Sequence, residues 1–406
     1  MSTEPDALTI TDVQVLDADG GLRPGPVHLS GGRIVGVGPD AGSPAGEVRQ
    51  LDGRGGTVIP GLIDAHFHAY GAHLDMFRGE SRPLSWVALA GARRLGRALR
   101  RGFTTVRDVA GGDAGLAGAI VDGLLDSPRY LWTGPALSQT GGHGDPRPGD
   151  LDCCVGHHHG SEVVDGVDAL RVAVRDRFRR GAHAIKIMTS GGVISLTDPI
   201  RIPQYSPEEV RAVTEEAARR GSYVAAHAYS PEAIVHSVTN GVRSIEHGNL
   251  LDAPTAALMA EHGAFLVPTL ATYDAMGRRG EEIGLNPIAR AKNAEVLDAG
   301  RHAIELAVDA GVSVGFGTDL MGELEEEQLQ GVRAQVEVLG LIEALRSMTL
   351  TNAALIGRDD LGRVEQGAVA DLLLLPGDPT ADPSLLWAGP RTVIQGGLVV
   401  GDPVTR

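Results

Sequence analysis

The feature that most restricts what this chain can fold into is a repeated switch of pattern through residues 58–357, where short apolar runs alternate with longer stretches of helical period. Val58-Ile-Pro-Gly-Leu-Ile-Asp-Ala-His-Phe-His68 opens the series. Thr104-Thr-Val-Arg-Asp108 follows a helical stretch over residues 86–101, Tyr130-Leu-Trp follows one ending near Ile120, and Ala184-Ile-Lys-Ile-Met188 follows residues 170–180. Ser206-Pro-Glu-Glu209 supplies an N-cap, a proline at the first helical position and an acid at the third, and so predicts a helix to about residue 220. Next come Tyr223-Val-Ala-Ala-His227, a helix announced by Ser230-Pro231, Ser244-Ile-Glu-His247, a helix over 254–262 and Phe265-Leu-Val-Pro268. A helix over 287–310 precedes Ser313-Val-Gly-Phe-Gly-Thr-Asp319, and residues 325–357 read as helical with a break near Gly340. Eight strand candidates with helices between them predict an α/β fold whose centre is a closed (β/α)8 barrel over residues 59–358.

The ends follow a different grammar. Residues 7–57 alternate apolar and polar positions between Gly-rich turns, and residues 361–403 return to that pattern. Two strand-rich flanks around a different middle predict one small β-sandwich assembled from residues 1–58 and 359–406.

Composition narrows the partners. Lys plus Arg is 36 against 52 Asp plus Glu, a net charge of −16 with no long basic run, which argues against a nucleic-acid or anionic-membrane partner. No run of about 20 apolar residues offers a membrane span, and the first residues lack a signal-peptide pattern, so the expectation is a cytoplasmic protein. Adjacent Cys153 and Cys154, the only cysteines, do not make an easy disulfide and suit a reducing compartment. The surrounding run through His159 reads as a lid or surface loop, and a homo-oligomer is expected.

In a β/α barrel the chemistry sits at the carboxyl ends of the strands. His66 and His68 end the first run and alternate onto one face, where two imidazoles can grip one metal ion. Lys186 lies in the fourth run, His227 ends the fifth, His247 the sixth and Asp319 the eighth. Six such residues placed at one end of their strands outweigh any single motif. Each also has a plainer reading: a core histidine bonded to a carbonyl, a strand-end lysine reaching for water, or Asp319 as a helix N-cap. An ammonium cannot bind a cation, but a lysine amine carboxylated by carbon dioxide offers two anionic oxygens that can bridge two divalent metals. Asp319 can hold a metal and also take a proton from water.

Together the quoted first-run motif, Ile-Lys186-Ile-Met-Thr-Ser-Gly-Gly, Ala-His227-Ala-Tyr-Ser, Ile-Glu-His247-Gly and Gly-Thr-Asp319 resemble the amidohydrolase superfamily over nearly the whole chain. Thr-Thr-Val-Arg-Asp108, Ser138-Gln-Thr-Gly-Gly-His143-Gly-Asp and Ser190-Gly-Gly-Val-Ile-Ser-Leu-Thr-Asp-Pro199 are similar to its imidazolonepropionase-like branch, which includes prolidase-like dipeptidases and carboxypeptidases. The resemblance implies two divalent ions, usually zinc: one held by His66, His68 and Asp319, the other by His227 and His247, with carboxylated Lys186 and a hydroxide bridging them. It further implies that Tyr229 donates to the developing oxyanion and that His143 helps hold the substrate, against plainer readings as a packing aromatic and a loop residue.

The expected reaction is hydrolysis of a C–N bond in a dipeptide or N-acyl amino acid. The competing expectations are attack on a cyclic amide, urea or carbamate, deamination of a heterocycle, or a barrel scaffold without chemistry. The acidic run Gly322-Glu-Leu-Glu-Glu-Glu-Gln328 reads as a helix first turn or as an attractor for a basic leaving residue, and Arg147, Arg201 and Arg278 are candidate partners for a substrate carboxylate.

Overall fold

The computed structural model describes residues 7–147, 159–195 and 198–401. Cys153, Cys154 and the first histidines of the tract after them lie outside the described residues. The chain is an α/β protein with two parallel sheets and one mixed sheet.

The strand-rich ends meet in the mixed, eight-stranded sheet. Its centre is the long strand Arg49–Pro60, parallel to Ala7–Leu16 on one side and antiparallel to Leu372–Leu375 on the other. Register explains how one sheet serves two cores. Val58, Leu372 and Leu374 pack with Ile10, Leu29 and Ile34, whereas the alternate residues Ile59, Leu373 and Leu375 pack with Phe103, Leu95 and Phe316 of the middle region. Thus the sheet made by the termini packs one face on its own core and the other on the middle region.

Three strands, Leu62–Phe67, Phe103–Asp108 and Arg129–Trp132, form one parallel sheet. The other has seven strands in the order Ser161–Val163, Ala136–Ser138, Ile185–Met188, Val224–Ala228, Ser244–His247, Phe265–Val267 and Ser313–Val314. Leu62–Phe67, Phe103–Asp108, Ile185–Met188, Val224–Ala228 and Ser244–His247 are buried along their whole length, as expected where both faces of a parallel sheet are covered, although several carry polar residues. Backbone bonds also run between residues at the two margins of these sheets: His183 N–H donates to Trp132 O at 2.8 Å on one side, and on the other Ala65 N–H donates to Phe316 O at 2.9 Å and Asp319 N–H to His66 O at 2.8 Å.

The helices follow their local signals closely. Ser206 and Glu209 make the reciprocal capping box, and the helix runs Pro207–Ala218. Pro287–Asp309 starts behind an Asn286 cap, and the break at Gly340 falls at a φ of 76°, between Gln328–Leu339 and Leu341–Arg346. Leu270–Arg279 is a helix that patterning missed. It begins behind Thr269, which holds a left-handed φ of 51° and gives no side-chain cap.

Candidate metal centre

Polar residues on or beyond five of the parallel strands meet at one place. His66, His68, Lys186, His227, His247 and Asp319 all line one cavity, and His143, Tyr229 and Tyr273 line it too. The ligand atoms of His66, His68 and Asp319 lie within 4.8 Å of one another. His68 Nε2 meets Asp319 Oδ1 at 2.8 Å, and His66 Nε2 approaches the same oxygen at 3.4 Å.

The opposite nitrogens of the rings are committed elsewhere, and this orients them. His66 Nδ1–H donates to Glu246 Oε2 at 2.7 Å, which turns Nε2 toward Asp319. His227 Nε2–H donates to the Gly191 carbonyl at 3.0 Å and leaves Nδ1 for the cavity. His247 Nδ1 is occupied by Thr269 Oγ1 and Tyr273 Oη, both at 2.8 Å, and leaves Nε2. Burial holds both His227 and His247 well below the usual imidazole pKa, so they are neutral and able to ligate. Asp319 is held well below the carboxylate range: burial opposes its charge, but His66 and His68 outweigh it.

Lys186 is the unusual member. Its side chain is 2% exposed, and its Nζ has no hydrogen-bond partner. Burial pushes the amine down to about 8, against the attraction of Glu246 and Asp319. A desolvated amine with no partner is costly in a protein interior. The set of imidazoles, one carboxylate and a reactive amine suits divalent metals of the zinc type, so the residues fit such a centre.

Two features at this rim were not legible in advance. Strand alternation predicts that Glu246 and His247 point to opposite faces, yet both reach the site. His247 adopts a φ of 77°, which breaks the alternation at the strand end. Glu246 is fully buried and bonds Arg107 Nη2 through both oxygens, at 2.7 and 2.9 Å. Arg107, also fully buried, sits one residue before the noted Asp108, and its role has no signal beyond a charge inside an apolar run. Asp319 has a φ of 52°, so strained backbone gathers at the cavity end.

His143 stacks on His227 with ring centroids 4.1 Å apart. Its Nδ1 lies 2.8 Å from Ser195 Oγ and 3.5 Å from Asp198 Oδ2. Gly192 is required here, because a side chain at that position would overlap the His143 ring. Tyr229 stacks on His247 at 5.0 Å and meets Tyr273 Oη at 2.6 Å.

The three arginines do not gather at the cavity: Arg147 pairs with Asp145, Arg201 with Glu295, and Arg278 with Asp274 and Glu327. The acidic turn is a 3-10 helix, Gly322–Glu327, whose Glu325 pairs with Arg97 and Arg101 and whose Glu326 and Glu327 pair with Arg279. These three carboxylates serve the scaffold.

The amidohydrolase family model matches residues 57–401. The chain belongs to the amidohydrolase family. This amidohydrolase is 33% identical over 393 residues to the ochratoxinase of Aspergillus niger, covering 89% of this chain and 79% of that protein. Among solved structures, a prolidase complexed with N-methylphosphonate-L-proline is similar with a TM-score of 0.93 and 44% identity, covering 97% of this chain and 99% of that one. A Xaa-Pro dipeptidase with bound methionine in its active site gives a TM-score of 0.85 and 30% identity, covering 97% and 99%. As an amidohydrolase with such relatives, the protein is a hydrolase acting on C–N bonds. No helix among the described residues is long and apolar enough to cross a membrane.

Proposed function

We propose that this amidohydrolase is a binuclear enzyme that cleaves the amide bond of a dipeptide or an N-acyl amino acid. The observation that carries the reading is the buried, partnerless Lys186 amine lining the same cavity as the histidines and Asp319. His66, His68 and Asp319 would hold one divalent ion and His227 and His247 the other, with Lys186, carboxylated by carbon dioxide, contributing to both. When bound, two ions of this kind, zinc in our reading, supply Lewis acidity and make water nucleophilic at neutral pH.

The residues of the chain do the rest. Hydrolysis adds water across the C–N bond: its oxygen ends on the acyl carbon and a proton ends on the departing nitrogen. An Asp319 oxygen accepts that proton from the attacking water and passes it to the leaving amine. The Tyr229 hydroxyl donates to the carbonyl oxygen as negative charge develops on it. His143, supported by Ser195 and Asp198, faces the carboxylate end of the substrate. Met188, Val193, Ile194, Met276 and Met321 line the cavity and favour a neutral, apolar group there.

The same reading treats the two parallel sheets as arcs of one closed (β/α)8 barrel over residues 59–358, with residues 1–58 and 359–406 forming the sandwich. The backbone bonds from His183 to Trp132 and from Ala65 to Phe316 support closure at the two margins. The likeness to the prolidase and the Xaa-Pro dipeptidase supports the substrate class.

The test is a panel of dipeptides and N-acyl amino acids assayed with the zinc-reconstituted protein, beside metal analysis. Hydrolysis of several members with about two metals per chain is expected. No turnover of any amide, or full activity with no metal, overturns the reading.

A further inference from the structure

Tyr273 has no role in the reading above, yet it is the residue on which two of the site's groups converge. It sits on Leu270–Arg279 with 1% of its surface exposed. Its hydroxyl oxygen lies 2.6 Å from Tyr229 Oη and 2.8 Å from His247 Nδ1. Thr269 Oγ1 also lies 2.8 Å from His247 Nδ1, but 3.5 Å from Tyr273 Oη, which is too long for a good O–H bond.

The directions of these bonds follow from counting hydrogens. Each phenol carries one at neutral pH, as phenols ordinarily do. A neutral imidazole that ligates through Nε2 carries its hydrogen on Nδ1, so His247 Nδ1 can only donate. Tyr273 therefore cannot spend its hydrogen on His247. Among the described residues the acceptor left within 3 Å is Tyr229 Oη, so the single hydrogen between the two phenols belongs to Tyr273. The hydrogen of Tyr229 is then unspent.

We infer that Tyr273 is a positioning residue: it shares the His247 Nδ1 hydrogen with Thr269 Oγ1 and donates its own to Tyr229, so that the Tyr229 hydrogen points into the cavity toward the substrate carbonyl. The inference rests on the reading of His247 as a ligand and of Tyr229 as the donor to the oxyanion. Its consequence is a coupling: the tautomer that suits His247 for metal is the one that aims Tyr229. With the other tautomer, Nδ1 accepts from Tyr273, Tyr273 accepts from Tyr229, and the donor to the substrate is lost.

The test uses the full-length zinc-loaded protein, labelled with 15N-histidine, and the Tyr273→Phe variant, with the His247 signal assigned by its loss in His247→Asn. A protonated Nδ1 on His247 is expected, its proton signal moving upfield in Tyr273→Phe while zinc content stays at the wild-type level. A His247 protonated at Nε2, or an Nδ1–H signal unmoved in Tyr273→Phe, overturns the inference. In kinetics, Tyr273→Phe is expected to lower kcat by about 10- to 100-fold, with KM within about threefold. The double variant with Tyr229→Phe should be no slower than Tyr229→Phe alone by more than about twofold, because the pair acts as a unit. Wild-type kcat in Tyr273→Phe, or losses that multiply in the double variant, overturns it. If the wild-type protein hydrolyses no dipeptide or N-acyl amino acid, the substrate reading falls, while the His247 signal still decides the relay.

Discussion

The two sides of the cavity are built from opposite materials. Around His66 and His68 every imidazole meets a carboxylate: Glu246 at 2.7 Å on one ring and Asp319 at 2.8 Å on the other, with Arg107 balancing Glu246. Around His227 and His247 the partners are a carbonyl, a hydroxyl and a phenol, and the nearby Lys186 amine has no partner at all. One side carries its own anions and is ordered without help. On the other side the nearest carboxylate is more distant, Asp319 Oδ2 at 3.9 Å from His247 Nδ1. In the proposed reading a dication held by His227 and His247 would gain its closer anionic oxygen from a carboxylated Lys186, a group already desolvated and without a partner.

Asp319 belongs to the anionic side, and in the proposed reaction it would serve both sides. Asp319→Asn keeps the shape and removes both the charge and the proton acceptor. A fall in kcat/KM of about 10²- to 10⁴-fold is expected, measured at saturating metal so that lost affinity and lost proton transfer are separated. A loss under about threefold would show that the proton goes elsewhere.

Lys186→Ala probes the other side. It should leave the His66, His68 and Asp319 group intact and reduce bound metal from about two ions to about one per chain, with activity lost in parallel. Retention of two ions and full activity would end the account of how the neutral side binds.

Arg107 and Glu246 test whether the anionic side is truly self-contained. Arg107→Met strands a buried carboxylate and should destabilise the fold by about 3–5 kcal/mol, read from denaturant unfolding of the metal-free protein. Glu246→Gln keeps a hydrogen-bonding group beside His66 but loses its charge, and metal affinity should weaken by about 10- to 100-fold. Unchanged affinity would mean that His66 is oriented by packing alone.

How far the sequence could be read divides along the same line. His66, His68, Lys186, His227, His247 and Asp319 were legible because each ends or lies in an apolar run, and chain topology brings strand ends together. What stayed hidden depends on backbone that departs from its regular period. Glu246 is masked by alternation until His247 turns through a φ of 77°. Tyr273 was hidden because its helix starts behind a left-handed Thr269 with no capping signal. Arg107 shows a third kind of blindness: a charge inside an apolar strand reads as surface until a buried partner from a strand far along the chain is known. In the mixed sheet, turn chemistry made the strands legible, but not that alternate residues of Arg49–Pro60 serve two separate cores.

A pH experiment sharpens the contrast on the neutral side. With its pKa lowered to about 8 in the metal-free protein, Lys186 is mostly charged at pH 6.5 and mostly neutral at pH 8.5. Only the neutral amine attacks carbon dioxide. At fixed dissolved carbon dioxide and zinc, reactivation of the stripped protein should therefore be about 20-fold faster at pH 8.5 than at pH 6.5, the ratio of neutral fractions for a group of that pKa. The sign is the informative part: slower reactivation at higher pH would point to a charged lysine and a different bridge.

The smallest effect expected is a change that does not occur. Glu325, Glu326 and Glu327 would draw a basic leaving residue toward the site if they were free, and their number invites that reading. Glu325 is committed to Arg97 and Arg101, Glu326 to Arg279, and Glu327 to Arg278 and Arg279, while methionines, valine and isoleucine face the cavity. A carboxylate already paired projects little field, and what remains is screened within about 8 Å at physiological salt. Dipeptides ending in arginine should then be hydrolysed no faster than neutral ones, within about threefold in kcat/KM, and raising salt should not alter the ratio. A preference for arginine that faded with salt would mean that these arginines release their acids when substrate arrives, and that the two sides of the cavity are joined by a third, mobile source of charge.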